Sequence, residues 1–185
     1  MMNPIRVMEL ASAFYGSQVL FSAADAGVFA ALADGHQATA RELADACEAN
    51  CRGMTLLLDA SVALGLLEKD GDTYRNSAEA EAFLVPGHPG DLTRAIRYNR
   101  DVYQAWGQLP ELVRSGKPVE SPDIHLGDDA ERTRVFVESM HARAKAIGGA
   151  VVSKVDLADA RRILDVGGGP GTYSVLLAQR YPELR

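Results

Sequence analysis

A run of glycines broken by one proline, Gly167-Gly168-Gly169-Pro170-Gly171, follows directly on a short apolar segment at residues 163–166. Such a run interrupts any helix or strand, so the backbone must turn here. Beyond it, apolar residues continue with helical spacing as far as Pro182. A strand, a glycine turn and a helix open a doubly wound α/β sheet, in which ligands bind at the carboxyl ends of the strands. The run therefore predicts a βα unit whose turn faces a ligand.

The spacing of the glycines narrows the class of ligand. A dinucleotide fingerprint starting at Gly167 needs its third glycine at position 172, which is Thr172, and no Walker lysine follows. The pattern is instead D-x-G-x-G-x-G from Asp165. Glycines without a Cβ let a ligand approach the backbone, and the N–H groups at the start of the next helix attract an anionic group. The alternative is that residues 167–171 form only a tight turn.

Composition and charge exclude several classes of function. The chain has 185 residues, 47% of them hydrophobic, which fits one globular domain or two small ones. It carries 19 Lys and Arg against 25 Asp and Glu, a net charge of −6, which disfavours nucleic acid as a partner. Cys47 and Cys51 form neither a C-x-x-C pair nor a disulfide framework. We expect a cytoplasmic protein in which these two residues only pack.

An apolar stripe begins near the N-terminus. The uncharged segment 10–24 is too short to span a bilayer, and its polar residues favour an amphipathic helix over an export signal. We expect Gly16 and Gly27 to break this helix into pieces. The stripe, which must be buried against another surface, comprises Val7, Leu10, Phe14, Phe21, Ala24 and Val28.

Residues 39–76 predict a winged helix-turn-helix. Thr39 and Glu42 form a capping box that starts a short helix ending near Cys47, and a second helix follows Asn50. Asp70-Gly71, between two strand-like runs, predicts a hairpin in which both residues have positive φ. This element usually reads DNA, but it holds four basic side chains against seven acidic ones. Because it offers little to a phosphate or a base edge, we expect it to pack against protein.

The remaining residues up to 155 predict more helices. Ser77 caps a helix ending near Leu84, and Asp128 caps another that runs to about Lys145. Further helices are expected at residues 91–98, 102–115 and 146–155, with a loop at 116–128. The predicted fold is therefore mainly α, with a single βα unit at its C-terminal end.

The segment Leu164 to Gly171 resembles motif I of the S-adenosylmethionine-dependent methyltransferases. Much of the chain is also similar to the dimerising O-methyltransferases of the caffeate and acetylserotonin type. The matching stretches are residues 28–32, 40–44, 56–67 with Tyr74, 106–118 and 136–140. The resemblance implies a helical, winged-helix dimerisation domain at 1–155, the start of a Rossmann-like domain at 156–185, a homodimer, and a small aromatic or polyketide-like hydroxyl acceptor.

The same resemblance assigns site residues. The cofactor S-adenosylmethionine would be held by Asp165, by the backbone of Gly167, Gly168 and Gly169, and by Met140. The acceptor would contact Phe136, Trp106, Tyr98 and Asn99. Each of these side chains has an alternative reading as ordinary core or surface, since Phe136 and Met140 lie at helical spacing and a lone tryptophan usually packs. The resemblance implies no metal.

Two functional residues of the family lack counterparts here, an acidic residue that binds the ribose and a histidine that removes the acceptor proton. None of His36, His88, His125 and His141 matches that histidine, and only His141 lies near the expected cofactor site. We expect the base to lie beyond Arg185, the chain to be the N-terminal part of a longer enzyme, and the 185 residues alone to be inactive. The alternatives are transfer to carbon or nitrogen, a non-catalytic interaction protein and, third, a DNA-binding regulator.

Overall fold

The computed structural model describes residues 3–121 and 128–185, so part of the predicted loop at 116–128, including His125, lies outside the described residues. By its internal contacts the chain divides into two compact units, residues 1–93 and 94–185. The predicted domain boundary at residue 155 stays a prediction.

The N-terminal unit consists mainly of helices. They are α1 (Ile5–Asp25), α2 (Val28–Ala31), α3 (Ala40–Ala46), α4 (Cys51–Ala63) and α5 (Ala78–Phe83), with a 3₁₀ turn at Ala33–Gly35. Polar side chains cap the start of three of them, and two of these caps, Thr39 and Ser77, were predicted. The Thr39 hydroxyl accepts the Glu42 N–H while the Glu42 carboxylate accepts the Thr39 N–H, a complete capping box. Asn50 and Ser77 accept N–H groups from Gly53 and Ala80.

A small antiparallel sheet completes this unit. Its strands are β1 (Ala38–Thr39), β2 (Leu67–Asp70) and β3 (Thr73–Asn76), in the order β1-β3-β2. The predicted hairpin is confirmed, but its turn lies one residue later than expected. Because Asp70 pairs with Thr73, the turn residues are Gly71 and Asp72, and of these only Gly71 has a positive φ. Glycine at the first central position is typical of a type II′ turn, which needs no positive φ at the second.

The core of the N-terminal unit is closed and apolar. Its largest fully buried side chains are Phe29, Leu32, Leu43, Leu58, Leu67 and Val28. The predicted stripe on α1 divides in two: Phe21 is buried, whereas Leu10 is 71% exposed and Val7 and Phe14 are exposed as well. The N-terminal half of α1 therefore has no covering surface within the described residues of this unit.

Glycine has two different effects along α1. Gly27 has a φ of 79° and separates α1 from α2, as predicted. The prediction for Gly16 was wrong, because α1 continues through it. A Cβ at position 16 would lie 3.7 Å from Leu64, an ordinary van der Waals distance, so an alanine would also fit there.

The C-terminal unit contains four helices among its described residues. They are α6 (Thr93–Gly107), α7 (Leu109–Ser115), α8 (Ala130–Val152) and α9 (Thr172–Arg180). The predicted break between residues 98 and 102 is absent, since no glycine or proline interrupts the helix there. Helix α8 is likewise one helix through Gly148-Gly149, and it is capped by Asp129 rather than Asp128.

The predicted strand at residues 163–166 is not formed, and Leu164 and Val166 are 87% and 85% exposed. A strand requires a neighbour to accept and donate its backbone hydrogen bonds. The neighbour among the described residues is Arg185, which donates to the carbonyl of Arg161 and accepts from the N–H of Ile163, each at 3.1 Å. These two hydrogen bonds of Arg185, on either side of Arg162, follow the pattern of parallel strands. A single paired residue is too short to form a strand.

No single helix among the described residues is long and apolar enough to cross a membrane. Helix α1 taken together with Val28–Gly35 reaches the necessary length and composition, with a bend of 54° between the two parts.

Candidate functional site

The glycine run forms a tight loop in the left-handed region of φ. Gly167, Gly169 and Gly171 have φ values of 71°, 52° and 69°. Residues with a Cβ rarely adopt these values, so glycine is required at these positions. The Gly171 N–H donates to the Gly168 carbonyl at 2.8 Å and closes the turn immediately before α9.

The carboxylate of Asp165 lies against this loop. A Cβ built on Gly168 would stand 2.5 Å from Asp165 Oδ2, so the carboxylate occupies the space that a side chain at 168 would need. Ser174, in the first turn of α9, donates its hydroxyl to the same oxygen at 2.5 Å. Loop, carboxylate and helix start are thereby fixed to one another.

Helix α9 begins at the loop without a side-chain cap, since its N-cap is Gly171. The first N–H groups of a helix have no partner within the helix and carry a partial positive charge. A carboxylate and a helix N-terminus therefore lie next to each other at this loop. Such a pair is suited to bind a group that has both an ammonium and a carboxylate, as an amino acid does.

One face of α8 forms the opposite wall of a cavity of about 420 Å³. Phe136, Met140, Arg143 and Ile147 contribute to that wall at successive steps of four, three and four residues. The loop side comprises Asp165, Gly167, Gly168, Gly169, Pro170, Thr172 and Tyr173. A mostly apolar wall that includes one arginine, facing a glycine-lined loop with a carboxylate, is the usual composition of a small-molecule site.

The structure thus brings together all five predicted cofactor residues, Asp165, Gly167, Gly168, Gly169 and Met140, in one cavity. It adds Phe136, which was predicted to contact the acceptor. The roles of these residues stay predictions. The structure nevertheless brings residues 140 and 165, which are far apart in the sequence, into the same cavity.

The other three predicted acceptor residues lie elsewhere in the same unit. Trp106 is 68% exposed and lines a separate groove of about 290 Å³ with Leu109 and Leu112. Tyr98 packs edge-on against Phe136, with ring centroids 5.6 Å apart, and lines an adjoining cavity of about 340 Å³ that includes Phe136. Asn99 is exposed on α6 and lines none of these three cavities.

Three residues near the site were missed from the sequence, namely Arg143, Thr172 and Ser174, whereas His141 was placed near the expected cofactor site without a role. Arg143 shares the helical spacing of Phe136 and Met140, and that periodicity is the signal that points to it. Thr172 and Ser174 follow the glycine run directly, in the first turn of α9. His141 Nδ1 lies 2.7 Å from Oγ1 of the buried Thr172, a contact between two helices that no local pattern predicts.

A second polar cluster lies in the N-terminal unit, where Asp34, Glu81 and His88 place possible metal ligands within 4.8 Å of one another. Glu81 accepts the Asp34 N–H and the Asn76 amide, both at 2.9 Å, and His88 Nδ1 bonds to the Glu81 carbonyl. The Asn76 amide, followed by the Asp34 N–H, lowers the pKa of Glu81. These contacts account for the cluster as a link between β3, α5 and the turn at Ala33–Gly35.

Two family models match the chain, one after the other. The O-methyltransferase dimerisation domain matches residues 8–86, and the O-methyltransferase domain matches residues 120–185.

Individual proteins are similar over almost the whole chain. The 3-hydroxy-5-methyl-1-naphthoate 3-O-methyltransferase of Streptomyces sahachiroi is 35% identical, over 98% of this chain and 53% of its own length. The tetracenomycin polyketide synthesis 8-O-methyl transferase TcmO of Streptomyces glaucescens is also 35% identical, over 99% and 55%. The structure of human N-acetylserotonin methyltransferase in complex with SAM superposes with a TM-score of 0.80 at 27% identity, covering all of this chain and 58% of that one.

The chain spans about half the length of the curated relatives it matches. Both matched domains belong to the O-methyltransferases, and they occur in the predicted order. The resemblance to this family that the sequence indicated is therefore confirmed. The chain belongs to the O-methyltransferases that carry this dimerisation domain.

Proposed function

We propose that the protein takes part in transfer of a methyl group from S-adenosylmethionine to a hydroxyl oxygen of a small aromatic or polyketide-like acceptor. The observation that carries the proposal is the cavity between the glycine loop and α8, which combines the Asp165 carboxylate, an uncapped helix start and an apolar wall. The relatives support the acceptor class, since two of them are named for a hydroxynaphthoate and for a polyketide synthesis.

The residues at the loop fit the amino acid part of that cofactor. Asp165 offers a carboxylate for the ammonium group, and the start of α9 offers N–H groups for the carboxylate. Gly167, Gly168 and Gly169 leave room for the ligand against the backbone. Met140 and Phe136, across the cavity, provide apolar surface for the remainder of the cofactor and for the acceptor.

When bound, the cofactor supplies a methyl group on a positively charged sulfur. In the proposed transfer the acceptor oxygen would form a bond to that methyl carbon as the carbon–sulfur bond broke, and the hydroxyl proton would pass to a base. The task of the residues described here is alignment and exclusion of water, which brings the oxygen and the methyl carbon into reacting distance. We assign the base to no described residue, and we keep Trp106, Tyr98 and Asn99 as proposed acceptor contacts.

We further propose that the protein is a cytoplasmic homodimer in which residues 39–76 form a winged helix that packs against protein rather than DNA. Support comes from α3, α4 and the β2–β3 hairpin, which follow one another in that order, and from the exposed apolar side chains of α1. A Leu10→Glu variant would place a charge on that exposed half of α1. Sedimentation should then give a dimer for the parent and a monomer for the variant. A monomeric parent would contradict the proposal.

Calorimetry and turnover together test the proposed reaction. The protein should bind S-adenosylhomocysteine, and the protein produced from its complete gene should methylate members of a panel of hydroxylated aromatic acids when given labelled S-adenosylmethionine. Binding without turnover of any hydroxyl acceptor would favour transfer to carbon or nitrogen. No heat with the cofactor product would favour a non-catalytic interaction protein.

A further inference from the structure

The first turn of α9 is fixed from two directions. Ser174 binds Asp165 within the loop, whereas Thr172 binds His141, which belongs to α8. Thr172 is buried and forms part of the cavity wall, and His141 is exposed on α8 beside Met140. The hydrogen bond between His141 Nδ1 and Thr172 Oγ1, at 2.7 Å, therefore connects the two walls of the cavity.

A second contact between the same helices is purely steric. The space for a Cβ on Gly148 of α8 is taken by the Leu176 side chain of α9. Tyr173, in the first turn of α9, also lies 3.7 Å from that position, so packing at Gly148 brings the helices together and contacts the same turn. Hydrogen bonds also depend on direction, so the His141 contact adds an oriented restraint on the Thr172 side chain in that turn.

We infer that His141 is a positioning residue of the cofactor site: through Thr172 it holds the start of α9, and with it the glycine loop, in the orientation that binds S-adenosylmethionine. The inference rests on the proposed function, because it assigns the cofactor to this cavity. His141 itself does not line the cavity, so its effect on the cofactor passes through Thr172.

The chain offers matched variants for a test. His141→Ala removes the hydrogen bond, whereas His141→Asn places an amide atom where Nδ1 stands and keeps it. Thr172→Val removes the partner hydroxyl with little change in volume. Lys145→Ala, at an exposed position on the same helix, is the control for a change on α8.

Calorimetry with S-adenosylhomocysteine should give a dissociation constant about 3- to 10-fold higher for His141→Ala and for Thr172→Val, as expected for one hydrogen bond. His141→Asn and Lys145→Ala should stay within about twofold of the parent, and the His141→Ala/Thr172→Val double variant should be no weaker than either single one. Equal constants for all variants, or no rescue by asparagine, would overturn the inference.

Hydrogen exchange on the ligand-free protein separates this inference from the proposed function. Amides at residues 167–175 should exchange faster in His141→Ala than in His141→Asn or Lys145→Ala, because the loop loses its link to α8. If the parent bound no S-adenosylhomocysteine, the proposed function would fail while exchange still measured the positioning. Unchanged exchange in His141→Ala would show that Thr172 needs no such support and would overturn the inference.

Discussion

The two units of this chain differ in how completely they enclose their apolar residues. In the N-terminal unit Phe29 and Leu58 are 1% and 0% exposed, and each of the three strands pairs with a strand less than forty residues away. In the C-terminal unit the apolar segment before the glycine run stays open. Helices and hairpins satisfy their backbone locally, whereas a parallel strand depends on segments brought from far along a chain.

The largest predicted difference between the units is in the cost of truncating a leucine. Leu58→Ala should lower the free energy of unfolding by about 3 kcal/mol, because it leaves a cavity in a closed core. Leu164→Ala should change it by less than about 0.5 kcal/mol, as for an exposed residue. Urea unfolding of the 185-residue chain measures both. Similar values for the two variants would contradict the contrast.

At the glycine loop we expect function to change more than stability. Gly168→Ala would push the Asp165 carboxylate from its place beside Ser174 and weaken binding of S-adenosylhomocysteine by about tenfold, or about 1.4 kcal/mol.

Gly149→Ala is the matched control, because nothing lies within 4 Å of a Cβ there and alanine favours a helix. Calorimetry should show parent-like affinity for Gly149→Ala. If Gly168→Ala kept full affinity, the loop and its carboxylate would not form the binding site.

Capping provides a smaller contrast. Thr39→Ala should destabilise the N-terminal unit by about 1 kcal/mol, since the Glu42 N–H loses its acceptor. Thr39→Ser keeps the hydroxyl and should remain close to the parent. Denaturant unfolding followed by circular dichroism distinguishes them. Equal losses in both variants would mean that the threonine methyl group, not the cap, stabilises α3.

The smallest expected effect is on how the stability of the N-terminal unit depends on pH. Lys69 first, and then Tyr74, donate hydrogen bonds to Asp59 and lower the pKa of its carboxyl. A carboxyl whose folded pKa lies below its unfolded value, about 3.9, stabilises the protein above that value and loses the contribution as pH falls through the folded pKa. Unfolding midpoints measured from pH 5 to pH 2.5 should fall less steeply for Asp59→Asn than for the parent. An equally steep fall would place the acid sensitivity elsewhere.

The sequence predicts most strongly what depends on neighbouring residues. Thr39 with Glu42 and Ser77 are local caps that act as expected, and Asn50 caps the helix that was predicted to follow it. The hairpin is also local, although its turn shifts by one residue, because a single positive φ at Gly71 is enough. The Gly16 prediction failed because one glycine inside a helix costs only about 1 kcal/mol relative to alanine, which is too little to end a helix of this length.

The candidate site could be predicted only in part. The glycine run identifies its own loop, whereas Phe136 and Met140 on the α8 wall were assigned to the site by resemblance. The contact between His141 and Thr172 depends on how two helices pack against each other, and the residue spacing within either helix does not predict that packing. Trp106 was assigned by resemblance, and the structure places it in a separate groove.

The most direct test of the account is a crystal structure of the protein with S-adenosylhomocysteine bound. We expect the amino acid part of the ligand to lie against Gly167–Gly169 and Asp165, with Met140 on the opposite side. A ligand bound elsewhere, or an empty cavity at saturating ligand concentration, would contradict the claim that this loop is shaped for the methyl donor.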